Sequence, residues 1–232
     1  MKKSILIILL IFVSCFNSIA FAERDSGNGY VYTLEELEQL EKETNKILEI
    51  IKSNKELRAP SVDRYARVSV RRFEQEYFNY CGPATVKQTM DSVTGYSESQ
   101  SYYARKIGTT DKGTDFKDLA AYLRRNAHNN NSGYEELYVY EDIESIDYSY
   151  WLERIYYCLH SKQKPPVLDV YGFTPTSTGH FINIDIIDVR GSIQEVRVVD
   201  PNNDRRYGGT KWYDANEVYR KNIGQFKHHA LW

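Results

Sequence analysis

Cys81 heads the run Cys81-Gly82-Pro83-Ala84-Thr85, where an irregular segment gives way to a helical pattern. A thiol at a helix start meets the positive end of the helix dipole and backbone N–H groups that lack intrahelical partners. Those partial charges favour thiolate over thiol, which makes the sulfur a nucleophile. A cysteine hydrolase needs three further groups: a general base, a side chain that orients it, and an oxyanion donor. His180 is the best-placed base. It follows Ser177-Thr178-Gly179 and opens a strand pattern, where its ring can face a cleft, whereas His128, His160, His228 and His229 sit in a loop, at a helix end and near the terminus. Asp200, in Val198-Val199-Asp200-Pro201, closes the next strand pattern. A hairpin brings it back towards His180, where it can accept the imidazole N–H and hold the tautomer. Gln75, six residues before Cys81, can offer an amide N–H to an oxyanion beside the Cys81 N–H. Each partner also has a plainer reading: a structural histidine, Asp-Pro turn chemistry, and a surface glutamine.

These residues need elements to hold them. Val86, Met90 and Val93 share one face of the helix that Cys81 opens, with Gly95 as its stop. Before it, Arg67 to Phe73 alternates as a strand does. Ser97-Glu98-Ser99-Gln100 reads as a capping box for a short helix ending near Gly108. Asp115 begins a third helix, with Phe116, Leu119, Ala120 and Leu123 at helical spacing, and the Asn-rich stretch His128 to Gly133 is a loop. Tyr134 to Tyr140 is a strand candidate. Leu152, Ile155 and Leu159 then mark one helical face around Cys158, and Val167 to Tyr171 reads as a strand after Pro165-Pro166. His180 to Val189 is a long strand with Ile182, Ile184 and Ile186 alternating. Gly191 turns it into Ile193 to Val199 as a hairpin, and Asp214 caps a last helix through Tyr219. Helices first and strands afterwards predict an α+β domain, a helical half followed by a mainly antiparallel sheet.

Residues 1–22 read as a signal peptide. Lys2 and Lys3 precede an apolar stretch, Ser4 to Val13, too short to span a bilayer, and Ala20-Phe21-Ala22 is a cleavage site. The expected destination is secreted, in the extracellular space or cell envelope. The alternative is a lipid anchor on Cys15, in the lipobox Phe12-Val13-Ser14-Cys15. Residues 23–60 form a lead-in and an amphipathic helix of about 24 residues, opened by the capping box Thr33-Leu34-Glu35-Glu36. Its narrow stripe is Leu37, Leu40, Thr44, Ile47 and Ile51, and Ala59-Pro60-Ser61 marks the boundary to a single domain at 61–232. That helix suits a pro-segment, a short coiled coil or a surface helix laid on the domain.

The chain has 232 residues and a formal net charge of −2, and its basic residues are scattered. No nucleic-acid partner is expected. Cys81 and Cys158 belong to no CxxC pair, and the five histidines lack zinc spacing, so no metal and no cofactor is implied. An oxidising compartment permits a Cys81–Cys158 disulfide, but Cys158 lies in an apolar helical pattern that suits a small buried hydrophobe.

The segment Gln75-Glu76-Tyr77-Phe78-Asn79-Tyr80-Cys81-Gly82-Pro83-Ala84 resembles the active-site signature of papain-like cysteine peptidases of the bacteriocin-processing type. Gly179-His180-Phe181 is similar to that family's Gly-His-aromatic motif, and Val199-Asp200-Pro201 to its Asp-Pro motif. Gln100, Gly108-Thr109 and Gly113-Thr114 resemble weaker positions between them. The resemblance covers roughly residues 66–226. It implies a papain-like fold, no cofactor and amide-bond hydrolysis of a peptide or protein substrate. The family's Gln, Cys, His and Asp fall on Gln75, Cys81, His180 and Asp200. The expectation is therefore a stand-alone secreted cysteine peptidase working through a thioester, with association at the cell surface open to it. Two alternatives remain: a peptidoglycan-directed amidase or acyltransferase using the same triad, and a non-catalytic surface-binding module displaying some of the twenty tyrosines.

Overall fold

The computed structural model describes residues 63–128, 140–142, 147–173, 179–223 and 229–232. In chain order these hold β1 (Arg64–Arg67), α1 (Cys81–Thr94), α2 (Gln100–Lys106), α3 (Phe116–Asn126), β2 (Tyr140–Asp142), α4 (Tyr148–His160), β3 (Val167–Val170), β4 (His180–Val189), β5 (Glu195–Asp200), β6 (Gly209–Asp214), α5 (Ala215–Ile223) and β7 (His229–Leu231). The signal segment, the Cys15 lipobox, the 33–56 helix, the Pro60 boundary and most of the Asn-rich loop and Tyr134–Tyr140 strand lie outside the described residues.

The strands pair antiparallel in the order β2-β7-β3-β4-β5-β6. The axis of this sheet is β4, ten residues long and buried throughout. One edge of β4 is shared: β3 pairs with its first half and β1 with its second, while β5 lines the other edge. Alternate residues enter different cores, as strand geometry requires. Leu168, Val170, Ile182, Ile184 and Ala230 pack under α4 and α5, with Trp151, Ile155 and Val218. Val167, Phe181 and Leu231 meet α1, α2 and α3 instead, through Val86, Tyr103, Phe116 and Leu119. The chain is therefore α+β, with its helical half on one sheet face and two later helices on the other.

Three expectations need correction. The first strand is Arg64–Arg67 rather than 67–73. The Val68 N–H still reaches the Asp185 carbonyl at 2.9 Å, but from there the chain leaves the sheet. It is drawn off by Arg72, which donates to the carbonyls of Asp200 (2.8 Å) and Asn202 (2.6 Å), and by the Gln75 N–H, which donates to the Pro201 carbonyl (2.7 Å). The cap of α2 is Ser99, whose Oγ accepts from the Tyr102 N–H, not Ser97. Pairing of β4 with β5 skips at Asp185, a β-bulge that puts one extra residue into β4. Alternation shifts with it: Ile182 and Ile184 before the bulge share a core with Ile187 and Val189 after it, and Ile186 leaves that face. Asp188, which an unbroken strand would put on the His180 side, falls on the other side as a consequence.

Candidate active site

Every described helix except α1 starts on a side-chain acceptor. Ser99 serves α2, Asp115 α3 and Asp147 α4, and Asp214 Oδ1 accepts from the Glu217 N–H at the start of α5. The N-cap of α1 is Tyr80, which makes no side-chain cap, and the first turn holds no acid. Pro83 has no N–H to satisfy, and the Ala84 N–H bonds to the Tyr80 carbonyl. The amides of Cys81 and Gly82 thus stand at an uncapped positive helix end, a place suited to an anion. Gly82 is required there by space. A Cβ on it would lie 2.5 Å from Thr114 Oγ1 and 2.8 Å from Thr114 Cβ.

His180 is the first residue of β4, and Asp200 is the last of β5. The hairpin register sets Val199 opposite Asn183, which brings Asp200 Oδ1 to 2.6 Å from His180 Nε2. Oδ1 also accepts the Asn202 N–H at 2.8 Å, so the turn itself holds the carboxylate in place. Burial opposes a charged imidazole, but the Asp200 charge and hydrogen bond, with a further contribution from Cys81, outweigh it and raise the His180 pKa to about 10. Nδ1, on the far side of the ring, has no hydrogen-bond partner of ordinary geometry.

Registration between the two elements comes from Thr85, one turn after Cys81. Its Oγ1 donates to the Phe181 carbonyl at 3.0 Å, next to His180. Thr89 extends the seam by accepting from Asn183 Nδ2 at 3.0 Å. Cys81 and His180 expose no surface. A substrate carbonyl therefore reaches the sulfur only when neighbouring groups part.

Gln75 is buried at the base of the loop leading to Cys81. Its Nε2 donates to the Phe78 carbonyl at 2.8 Å and the Tyr77 carbonyl at 3.1 Å, which occupies both amide hydrogens. Three further residues support this loop, of which the sequence marked only Gln100, as part of a capping box and as a weaker family position, and gave it no role at the site. They are Arg72, Gln88, which donates to the Phe73 carbonyl, and Gln100, which bonds to the backbone of Glu74 and Glu76. Their long-range contacts span 15 to 130 positions. Cys158 is a free, buried cysteine like Cys81, but burial pushes its thiol up to about 12. Asp185 makes two bonds to Arg197, and Asp188 two to Arg190.

The family model described as a Peptidase C39-like family matches residues 67–230. Among solved structures, the chain is similar to a double-glycine-motif protease from an AMS/PCAT transporter in complex with the leader peptide, at 13% identity and TM-score 0.43, covering 72% of this chain and 91% of that one. It is also similar to the peptidase domain of Streptococcus ComA, a bifunctional ABC transporter involved in quorum sensing, at 11% identity and TM-score 0.43, covering 72% and 96%. No curated protein matches the sequence.

Proposed function

This chain belongs to the Peptidase C39-like family and is a cysteine peptidase, and on that premise we propose that it is an exported enzyme cleaving peptide bonds through Cys81, His180 and Asp200. The observation that carries the reading is the 2.6 Å bond from His180 Nε2 to Asp200, with Nδ1 left for a cysteine at the one uncapped helix start among the described helices. In the resting state His180 holds a proton on each ring nitrogen and Cys81 is the thiolate. The sulfur attacks the substrate's carbonyl carbon, and the C=O electron pair moves onto oxygen. The Cys81 N–H receives that oxyanion. Gln75 assists by turning one Nε2 hydrogen away from Tyr77, the longer of its two bonds. Collapse expels the amine, which takes the proton from His180 Nδ1, and leaves a thioester. His180 then removes a proton from water, which attacks the thioester, releases the acid and restores the thiolate. Residues 1–22 supply the export reading, with cleavage after Ala22.

Intact-mass analysis with iodoacetamide near pH 6 tests the assignment. Burial alone does not separate the two thiols, so selectivity has to come from the imidazole and the helix end. Cys81 is expected to alkylate first, with loss of peptidase activity, and Cys158 only on unfolding. Equal rates, or activity surviving in Cys81→Ala, overturn the proposal.

A further inference from the structure

We propose that Gln100 is a positioning residue for the oxyanion hole, acting through Gln75; this rests on the peptidase reading above. Gln100 is almost wholly buried at the first position of α2, and its side-chain amide bonds twice to one short stretch of backbone. Nε2 donates to the Glu74 carbonyl at 2.6 Å, and Oε1 accepts the Glu76 N–H at 3.0 Å. The Glu74 carbonyl belongs to the peptide plane that precedes the Gln75 Cα, and the Glu76 N–H to the plane that follows it. One planar group therefore grips both planes that define φ and ψ of Gln75. The Gln75 N–H, on the other edge of the first plane, is bound to the Pro201 carbonyl at 2.7 Å.

With both planes held, the Cα–Cβ direction of Gln75 is set, and its amide stays beside the loop that leads to Cys81. With the backbone fixed, the only movement left to the donor is the turn of one Nε2 hydrogen from the Tyr77 carbonyl to the oxyanion, and any further reorientation during the reaction would forfeit part of its value. Burying a glutamine forfeits more rotamer freedom than burying a leucine, which would meet a packing role alone. The two hydrogen bonds identify what this position does. Ser99, which caps α2 immediately before Gln100, keeps the clamp's own backbone in place.

The full chain is assayed on the best-cleaved member of a fluorogenic tetrapeptide pool, with the aldehyde of the same sequence as inhibitor. The aldehyde forms a hemithioacetal whose oxygen occupies the oxyanion position. In Gln100→Met, kcat is expected to fall on the order of 10- to 100-fold, a fraction of the 10²–10³ for losing a donor outright, with KM within a factor of two or three. Aldehyde affinity falls in parallel, while alkylation of Cys81 by iodoacetamide, which creates no oxyanion, keeps its rate. In the Gln75→Ala background, Gln100→Met has little further effect on kcat, because its target is gone. Gln100→Glu keeps the shape and the bond from Glu76 but can donate to the Glu74 carbonyl only when protonated, so it is the second variant should Gln100→Met fail to fold, and its kcat deficit is expected to shrink as pH falls. Unchanged kcat, an equal fractional loss with and without Gln75, or a matching fall in alkylation overturns the clamp. A wild-type chain that cleaves no peptide in a Cys81-dependent way sinks the peptidase proposal itself.

Discussion

At the scale of the residue, three aspartates near the candidate base have separate tasks. Asp200 alone bonds to His180, so Asp200→Ala should lower kcat by at least about 100-fold. Asp200→Asn keeps an acceptor for the imidazole N–H and for the Asn202 N–H, and should be much milder. It removes the charge that raises His180, so the alkaline limb of its kcat/KM profile should move down by about one pH unit or more. An unmoved limb would separate Asp200 from the proton balance. Asp185→Ala should leave turnover near normal but cost on the order of 2 kcal/mol of stability, because it strands Arg197. Asp188→Ala should do little to either, since Arg190 is largely solvated. The folded chain holds the His180 proton more tightly than the unfolded chain does. That stabilisation is present below the ordinary imidazole range and is lost as pH rises through about 10. Denaturant titrations should show wild type losing stability between pH 7 and 10 more steeply than His180→Gln.

At the scale of the element, the site depends on how α1 sits against β4 and the Thr114 turn. Thr85→Val preserves volume but removes the hydrogen bond to the Phe181 carbonyl. It should cost about 1–2 kcal/mol and lower kcat beyond what the fraction folded explains, because the helix of Cys81 and the strand of His180 lose their register. A variant that is destabilised yet retains full kcat would reduce Thr85 to a packing residue. Gly82→Ala forces a methyl group onto Thr114, and about 1–3 kcal/mol is the expected penalty. Thr114→Gly in the same chain should restore much of it, as thermal unfolding can show.

At the scale of the whole molecule, the family match begins at residue 67 and the sheet at Arg64. The two cores described are built from residues at and beyond Ala66. Residues 61–232 should therefore fold without the 23–60 segment, with an unchanged far-ultraviolet spectrum and a melting temperature within a few degrees. Insoluble or unfolded protein would mean that the stripe of Leu37, Leu40 and Ile47 belongs to one of those cores. Mass analysis of the exported protein should read Glu23 as its first residue, and a diacylglyceryl mass on Cys15 would overturn that.

Local chemistry made much of this protein legible in its sequence. Helix periodicity and caps marked α1, α3 and α4, because apolar spacing and an Asp or Gly at a terminus act within one turn. The long apolar run of β4 and the Gly191 turn marked the central hairpin. Cys81, His180 and Asp200 could be named because each sits at the end of an element, beside a Gly or Pro, and Gln75 because it stands six residues before Cys81 in a run that resembles a known signature. The edge strand β6 went unread because only alternate residues of Gly209–Asp214 are partly sheltered and its pattern is polar. β7 is three residues long and leaves no period to detect. The bulge at Asp185, the departure of 68–76 from the sheet and the Gln100 clamp were decided only in the tertiary structure. Each depends on hydrogen bonds between residues far apart in the chain, and a backbone amide or carbonyl that accepts such a partner leaves no mark in the sequence around it.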